Sequence, residues 1–210
     1  MNTSKGALIS FEGIDGCGKS TQMDIAAEYL REKGHDVLKT REPGGTKLAE
    51  KIREILLDNS HKGQISPMAE LMLYLAAREQ LSAEIILPHI EKNGTVLTDR
   101  YADSSTAYQG GGRELGIELV EQLNELVIPR WPDLTILFDI PVEVGLTRIG
   151  DRRPDRLEEE GIAFLNKVRD AFTKIVERHP DRITVVDSSG SVENTAKAVK
   201  EAIDKYLQAR

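Results

Sequence analysis

The chain has 210 residues, 40% of them hydrophobic and 30% charged, and carries a formal net charge of −7. The negative charge argues against a nucleic acid polymer or an anionic membrane as the main partner, and no apolar run reaches the roughly 18 residues that a transmembrane helix needs. The composition is typical of a globular protein, most simply one domain over residues 1–210. The only cysteine, Cys17, has no partner for an internal disulfide, and the sequence has no secretory signal, so we expect a cytoplasmic protein.

Short apolar runs alternate with helical patterns along the chain. Strands are predicted at 7–11, 36–40, 95–99, 134–140 and 183–187. Helices are predicted at 19–33, 46–57, 66–91, 115–128, 142–149, 157–178 and 192–208. This alternation is typical of an α/β fold, with a five-stranded parallel sheet flanked by helices on both faces. In such sheets ligands bind beyond the carboxyl ends of the strands.

The segment after the first predicted strand gives the strongest functional signal. The fixed positions of the phosphate-loop pattern G-x-x-x-x-G-K-[ST] are occupied by Gly13, Gly18, Lys19 and Ser20. The glycines allow the backbone to approach an anion, and the amides of the loop then point at phosphate oxygens. Lys19 is expected to reach the β- and γ-phosphates, and the Ser20 hydroxyl to bind Mg²⁺. The predicted nucleotide-binding residues of this segment are Gly13, Asp15, Gly16, Cys17, Gly18, Lys19, Ser20 and Thr21.

Asp99 and Arg100 end the third predicted strand. Asp99 can hold Mg²⁺ directly or through water, and Arg100 can bind a phosphate with two parallel hydrogen bonds. The alternative is a local ion pair at the rim of the sheet. Asp139 is a second candidate metal ligand, ranked lower because Pro141, rather than a cation, follows close behind it.

The predicted helix 66–91 contains two different rows of side chains. The row expected to face the core consists of Met68, Leu71, Met72 and Leu75. A second row, expected off the core, consists of Glu70, Tyr74, Arg78 and Ser82. Tyr74 beside Arg78 suits stacking on and hydrogen bonding to a planar heterocycle. The alternative is a solvated helix face on which Tyr74 covers the edge of the core.

Two segments read as mobile. Residues 148–156 are dense in charge and contain Gly150 and Pro154, which predicts an arginine-rich lid at about 149–157 or, alternatively, a plain charged surface loop. Arginines on a closing lid would stabilise transition-state charge and exclude water. The glycine-rich stretch 108–113 is expected to be a hinge or a surface loop.

Taken together, these segments resemble the thymidylate kinase family over essentially the whole chain. The motifs that carry the resemblance are Phe11-Glu12-Gly13-Ile14-Asp15-Gly16, Arg41-Glu42-Pro43-Gly44-Gly45-Thr46, Asp99-Arg100-Tyr101 and Ala107-Tyr108-Gln109-Gly110-Gly111-Gly112-Arg113. The resemblance implies a P-loop NTPase fold and a kinase that makes dTDP from dTMP, with ATP and Mg²⁺. It also implies a homodimer built by helix packing, and it allows a cis peptide before Pro43.

The resemblance further implies roles at matching positions. For the acceptor, Tyr74 stacks on thymine, Arg78 and Ser105 bond the base, Tyr108 disfavours a ribose 2′-hydroxyl, Arg41 and Arg100 bind the phosphate, and Asp15 lies near the 3′-hydroxyl. Arg148 lies against adenine. The implied catalytic residues are Lys19, Asp99, Arg100, Arg152 and Arg153, with Ser20 and Asp99 on the metal. Arg152, Arg153 and Arg156 fall in the lid, as in the bacterial arrangement, and which of them meets the transferred group stays open.

Three other functions fit parts of the sequence. A deoxynucleoside kinase would need a general base, for which Glu12 is the candidate. A kinase for UMP or AMP would use the same pocket for another base. A GTPase switch would need Asn-Lys-x-Asp after a strand, whereas the only Asn-Lys pair, Asn166-Lys167, lies in a predicted helix. The turn-like segment 187–190 lies too near the C-terminus for such a switch.

Overall fold

The structure is a computed structural model that describes residues 6–150 and 155–209. Its centre is a parallel five-stranded sheet in the order β2-β3-β1-β4-β5. The strands are β1 (Ala7–Glu12), β2 (Val37–Arg41), β3 (Thr95–Asp99), β4 (Leu134–Asp139) and β5 (Ile183–Asp187). All five predicted strands are confirmed, each with boundaries within one residue of the prediction.

Helices occupy the stretches between the strands. They are α1 (Lys19–Glu32), α2 (Lys47–Leu57), α3 (Pro67–Leu81), α4 (Leu87–Glu91), α5 (Ala102–Ser105), α6 (Ile117–Val127), α7 (Val142–Ile149), α8 (Ile162–Arg178) and α9 (Val192–Gln208). A π-helical turn, Ser82–Ile86, joins α3 to α4, so the predicted helix 66–91 has a π-turn inside it. Hydroxyl side chains fix several starts: Thr46, Ser66 and Ser191 each accept a hydrogen bond from the backbone N–H three residues on.

Helices cover both faces of the sheet, as predicted. On one face, Leu8 and Val96 pack in a cluster with Leu81, Ile86 and Ile90. Ile9 and Leu97, the next residues along the same strands, belong to the larger cluster. That cluster also contains Ala26, Ala27 and Leu30 of α1, Val168 and Phe172 of α8, and Val199 and Ile203 of α9. The alternation follows from the two-residue repeat of a strand.

The glycine-rich stretch expected to be a hinge or loop is instead a π-helical turn, Thr106–Gly112, whose Tyr108 and Gln109 side chains are buried. The prediction was wrong because the glycines serve packing rather than flexibility. A Cβ on Gly111 would lie 2.3 Å from Cβ of Ala171, and one on Gly112 would lie 2.6 Å from Cε2 of Phe164. Only glycine allows α8 to approach this turn so closely.

The segments that the sequence singled out meet at one edge of the sheet. The phosphate loop follows β1, the 41–46 motif follows β2, Arg100 follows β3, and residues 188–191 follow β5. Because all strands are parallel, their carboxyl ends share this edge. Within the described part of the chain, the search for a helix with the length and apolarity to cross a membrane finds none.

Candidate active site

The phosphate loop has the backbone conformation that an anion-binding loop needs. Gly13, Gly16 and Gly18 have φ values of 138°, 79° and 93°. A Cβ on Gly16 would lie 2.1 Å from the Gly145 carbonyl oxygen, so a side chain is excluded there. Lys19 is 6% exposed and donates from Nζ to the carbonyl oxygens of Gly13 (3.1 Å) and Ile14 (2.9 Å). The loop thus holds its cation beside the N-terminus of α1, where the helix dipole also favours an anion.

Ser20 and Asp99 come together across the cleft. Ser20 Oγ donates a 2.6 Å hydrogen bond to Asp99 Oδ2. Two hard oxygen donors at this distance fit Mg²⁺, which is usually held by one or two protein groups together with substrate phosphates and water. Among residues 6–150 and 155–209, no group of three or more His, Cys, Asp or Glu is placed to hold a metal. Asp139 accepts two bonds from Arg169, at 2.7 and 2.9 Å.

Arg100 lies at the centre of the site and forms its ion pair with Asp15 rather than with Asp99. Its Nη2 donates to Asp15 Oδ1 at 2.8 Å, and its Nη1 donates to the Gly13 carbonyl oxygen at 3.0 Å. Its guanidinium carbon lies 5.0 Å from the centre of the Tyr108 ring. The alternative of a simple rim ion pair with Asp99 is therefore not what the structure contains.

A large cleft of about 810 Å³ extends from the phosphate loop to the segment after β5. Its lining includes Asp15, Gly16, Cys17, Gly18, Lys19, Ser20, Thr21, Arg41, Arg148, Ser188, Gly190, Ser191, Val192 and Thr195. Arg148 donates to the carbonyl oxygens of Ser188 (2.8 Å), Ser189 (3.0 Å) and Gly190 (3.3 Å), which fixes its planar guanidinium in the wall. Sequence reasoning missed the 188–195 wall, although its position directly after the last strand was a usable signal.

A second, narrower cavity adjoins the first beside Arg100. Its lining includes Asp15, Glu42, Arg53, Leu57, Tyr74, Arg100, Ser105, Tyr108, Gln109 and Asp155. Asp15, Glu42, Arg53 and Arg100 line both cavities and therefore mark where they meet. The Ser105 hydroxyl is buried and has no hydrogen-bond partner within the described residues.

Arg53 and Gln109 are site residues that the sequence reasoning missed. Arg53 Nη1 donates to the Pro43 carbonyl oxygen at 2.8 Å, and the peptide between Glu42 and Pro43 is cis. Burial, and then the nearby Arg41, lowers the pKa of Arg53, so an anion between these cations would relieve their repulsion. The available signal was that Arg53 lies two turns into the helix that starts at the 41–46 motif. Arg41, 54% exposed, lies at the outer side and pairs with Glu50.

The two rows of the predicted helix 66–91 differ in part from the prediction. Leu71 and Leu75 are buried as expected, but Met68 and Met72 are 38% and 43% exposed, and Glu70, Tyr74, Arg78 and Ser82 are at most 9% exposed. The row of polar residues is buried because distant partners satisfy it. Arg78 donates to Glu42 Oε2 (2.7 Å), Asn124 Oδ1 (2.7 Å) and the Tyr101 carbonyl oxygen (2.9 Å). A contact between Arg78 and an acceptor base stays a prediction.

Arg156 is not a free lid arginine, contrary to expectation. It is 2% exposed, forms a 2.7 Å ion pair with Glu70 and donates from Nε to the Leu56 carbonyl oxygen. This contact fixes the C-terminal end of the predicted lid to α2 and α3. Arg152 and Arg153, the two lid arginines predicted to be catalytic, lie outside the described residues.

A five-stranded parallel sheet with a phosphate loop after its central strand defines a P-loop nucleotide-binding protein. Comparison with known proteins narrows this class. A family model described as thymidylate kinase matches residues 11–199, and the chain belongs to the thymidylate kinase family.

Several thymidylate kinases are similar to this chain over nearly its full length. A thymidylate kinase from Thermosipho africanus is 46% identical over 203 residues, covering 96% of this chain and all of the relative. One from a Thermoanaerobacter species is 47% identical over 204 residues, covering 97% of this chain and all of the relative. The crystal structure of thymidylate kinase from Ehrlichia chaffeensis superimposes with a TM-score of 0.77 at 33% identity, covering 95% of this chain and 98% of that one.

Proposed function

We propose that the protein transfers the γ-phosphoryl group of ATP to the phosphate of dTMP, giving dTDP and ADP in the synthesis of dTTP. The observation that carries this proposal is the meeting of two cavities at Arg53, Arg100 and Asp15. One cavity starts at a phosphate loop, and the other contains an aromatic ring that can stack on a base. Membership of the thymidylate kinase family supports the identity of both nucleotides.

Phosphoryl transfer to a phosphate requires positioning and charge neutralisation rather than a general base. A phosphate monoester has its second pKa near about 6, so the acceptor oxygen is already largely anionic at neutral pH. Lys19 and the loop amides hold the β- and γ-phosphates, and Arg100 and Arg53 hold the acceptor phosphate. Ser20 and Asp99 would hold Mg²⁺, which would supply neutralisation of the charge on the phosphate oxygens. The two nucleotides are thereby aligned for in-line transfer.

The acceptor cavity has features that suit a thymine deoxynucleotide. Tyr74 forms one wall for stacking, and the Ser105 hydroxyl offers an unused hydrogen bond. Tyr108 Oη lies 3.3 Å from Nη2 of Arg100, and the residue lines the acceptor cavity. We propose that its ring lies beside the sugar of the acceptor, where it would crowd a 2′-hydroxyl.

The geometry disfavours a deoxynucleoside kinase. Glu12, the candidate base, is completely buried and bonded to the Tyr101 N–H and the Ser104 hydroxyl. It lines neither of the two cavities formed by the described residues. A guanine-reading switch is disfavoured as well, because Asn166 and Lys167 lie inside α8.

We further propose that residues about 149–157 act as a lid, with Arg152 and Arg153 covering the transferring phosphoryl group. An arginine brought to a phosphoryl-transfer transition state contributes about 10³-fold or more. Arg148, just before the lid, and the buried Arg156, at its C-terminal end, hold this segment on both sides.

We also propose that the protein is a cytoplasmic homodimer. Pairs of exposed apolar residues at helical spacing lie on three helices that pack together: Leu48 and Ile55 on α2, Met68 and Met72 on α3, and Leu119 and Leu126 on α6. Leu126 alone is 80% exposed. A second copy would cover this apolar face. Light scattering should then give twice the mass of the chain, and Leu126→Glu should shift it toward the monomer.

The main test is a coupled ADP-release assay with ATP and Mg²⁺ over a panel of acceptors. We expect turnover with dTMP to exceed that with thymidine, UMP and AMP by at least tenfold, in line with the cost of an ill-fitting base. Preferred turnover of thymidine would instead support a deoxynucleoside kinase. Hydrolysis of nucleotide without any acceptor would instead support a GTPase switch.

A further inference from the structure

The buried carboxyl group of Glu12 has no role in the chemistry described so far. Glu12 is the last residue of β1 and directly precedes the phosphate loop. It is completely buried, and a buried acidic group persists only where specific partners hold it. Its partners all belong to the turn that carries Arg100.

Arg100 has a strained backbone, and Glu12 lies next to it. The register of β1 and β3 ends with Phe11 opposite Asp99, and the Arg100 N–H extends it with a 3.0 Å bond to the Phe11 carbonyl oxygen. Arg100 then turns with φ of +71°, a left-handed conformation that is unfavourable for a residue with a side chain. Such a conformation persists only where the surrounding structure enforces it.

Glu12 restrains this conformation of Arg100 at two points. At the backbone, the Tyr101 N–H leaves the sheet and donates to Glu12 Oε1 at 2.7 Å. At the side chain, Ser104 Oγ donates to Glu12 Oε2 at 2.5 Å and accepts from Arg100 Nη1 at 3.2 Å. The same carboxyl group therefore restrains both the turn and the guanidinium of Arg100.

We propose that Glu12 is a positioning residue for phosphoryl transfer: its carboxyl group replaces the next hydrogen-bond partner of the sheet and aims Arg100 at the junction of the two cavities. The inference rests on the proposed function, because it assigns Glu12 a part in that reaction. Glu12 acts through Arg100 and touches no substrate.

The charge around Glu12 determines which variant preserves its role. Burial, and then the nearby Asp103, raises the pKa of Glu12 to about 8, while Ser104, Arg100 and the Tyr101 N–H oppose the shift. Asp103 itself is held by Arg182, with bonds of 2.7 and 2.8 Å. The raised pKa favours the neutral form of the Glu12 carboxyl, which an amide can replace. The glutamine oxygen can accept from the Tyr101 N–H, and its NH2 group can donate to Ser104 Oγ.

The kinetic test compares Glu12→Gln with Glu12→Ala. Glutamine keeps an oxygen for the Tyr101 N–H, so we expect kcat within about threefold of the native value. Alanine releases the turn, so we expect kcat to fall about 100-fold, the size of effect that a misplacement of about 1 Å produces. The KM for ATP should change by less than about threefold in both variants, since the phosphate loop is unaltered.

Other outcomes would overturn the proposal. Equal, large losses in both variants would identify Glu12 as a general base. Native kcat per folded molecule in Glu12→Ala would leave it no part in the reaction. If Glu12→Ala does not fold, Ser104→Ala removes only the link to the guanidinium, and we expect about a tenfold loss of kcat. Native kcat in that variant would then overturn the proposal.

A second measurement does not depend on activity. In NMR-detected hydrogen exchange without nucleotides, the Tyr101 amide should exchange at least tenfold faster in Glu12→Ala than in the native protein. An unchanged rate would contradict the proposed restraint even if the protein made no dTDP, so this failure is distinguishable from failure of the proposed function. Ser10→Ala is the matched control, because Ser10 is a fully buried hydroxyl of β1 bonded to Thr135 at 2.8 Å, and it should leave kcat unchanged.

Discussion

The donor side and the acceptor side of the cleft are built from different kinds of atoms. On the donor side, one continuous segment, 13–21, supplies backbone amides and a single lysine, and backbone carbonyls of 188–190 hold Arg148. On the acceptor side, side chains converge from α2, α3, the turn after β3 and the C-terminal end of the predicted lid. Main-chain sites survive most substitutions, whereas side-chain sites depend on every partner that orients them. The two sides should therefore respond differently to mutation.

The largest expected effect is on the donor side, at Lys19, the cation that the phosphate loop holds. Lys19→Ala removes the charge that the loop holds at its centre, and we expect kcat to fall by about 10³-fold or more. The fold should persist, because the loop conformation rests on Gly13, Gly16 and Gly18. Steady-state kinetics and circular dichroism measure the two effects. Lys51→Ala, an exposed lysine of α2, is the control, and near-native turnover of Lys19→Ala would refute the role of this residue.

Arg100→Ala tests the junction of the two sides. Arg100 lines both cavities, so we expect kcat to fall about 10²- to 10³-fold and the KM for dTMP to rise, with little change in the KM for ATP. Arg100→Lys keeps the charge but loses the two-pronged geometry, and its loss should be intermediate. A rise in the KM for ATP alone would place Arg100 on the donor instead.

Glu70→Ala should show how far the acceptor side depends on buried charges. Glu70 accepts bonds from Gln109 (2.8 Å) and Arg113 (3.1 and 3.2 Å) and pairs with Arg156 at 2.7 Å. Burial alone would raise the pKa of Glu70, but bonds from Arg113 and Gln109 outweigh it and hold the pKa below its ordinary value.

Removing this carboxylate takes away the ion pair of the buried Arg156, whereas Arg113 keeps its pair with Glu160. We therefore expect the free energy of unfolding to drop by about 3 kcal/mol. Urea denaturation measures the loss. Glu79→Ala, an exposed acid on the same helix, should change the free energy of unfolding by less than about 0.5 kcal/mol. Equal stability of the two variants would mean that the cluster around Glu70 contributes nothing.

The smallest expected effect is a pH dependence of the free energy of unfolding, caused by the carboxyl group of Glu12 behind Arg100. Glu12 has a pKa of about 8 in the folded protein against 4.5 as its ordinary value, so between these values the folded state binds one more proton than the unfolded state. The free energy of unfolding should therefore fall as pH rises, by about 1 kcal/mol between about pH 7 and 9. Glu12→Gln should lack this slope. A native-like slope in that variant would assign the proton to another group.

Local patterns were sufficient to predict much of this molecule. The phosphate loop and the strand ending in Asp99 depend on short segments, and each lies at the expected edge of the sheet. The burial of the polar row of α3 could not be predicted from local patterns. Arg78 is buried because Glu42 and Asn124 satisfy it, and these partners are 36 and 46 residues away.

The same limit applies to Arg156. Its charged neighbours in the sequence indicated a mobile lid, but Glu70, 86 residues earlier, buries it. Helical periodicity separates apolar from polar positions, yet it does not report whether a distant partner will compensate a charge. Predictions for the acceptor side therefore depend on tertiary contacts that no local pattern encodes.

The tight seam between the Thr106–Gly112 turn and α8 has a consequence for how sugar preference could evolve. Gly112 abuts the ring of Phe164, and that ring in turn backs Tyr108, with ring centres 6.2 Å apart. A methyl group added at Gly112 would push Phe164 against Tyr108 without changing the identity of any residue that lines the two cavities. Since we propose Tyr108 as the residue that disfavours ribose, that preference should be adjustable from behind the pocket, through a glycine that lines neither cavity.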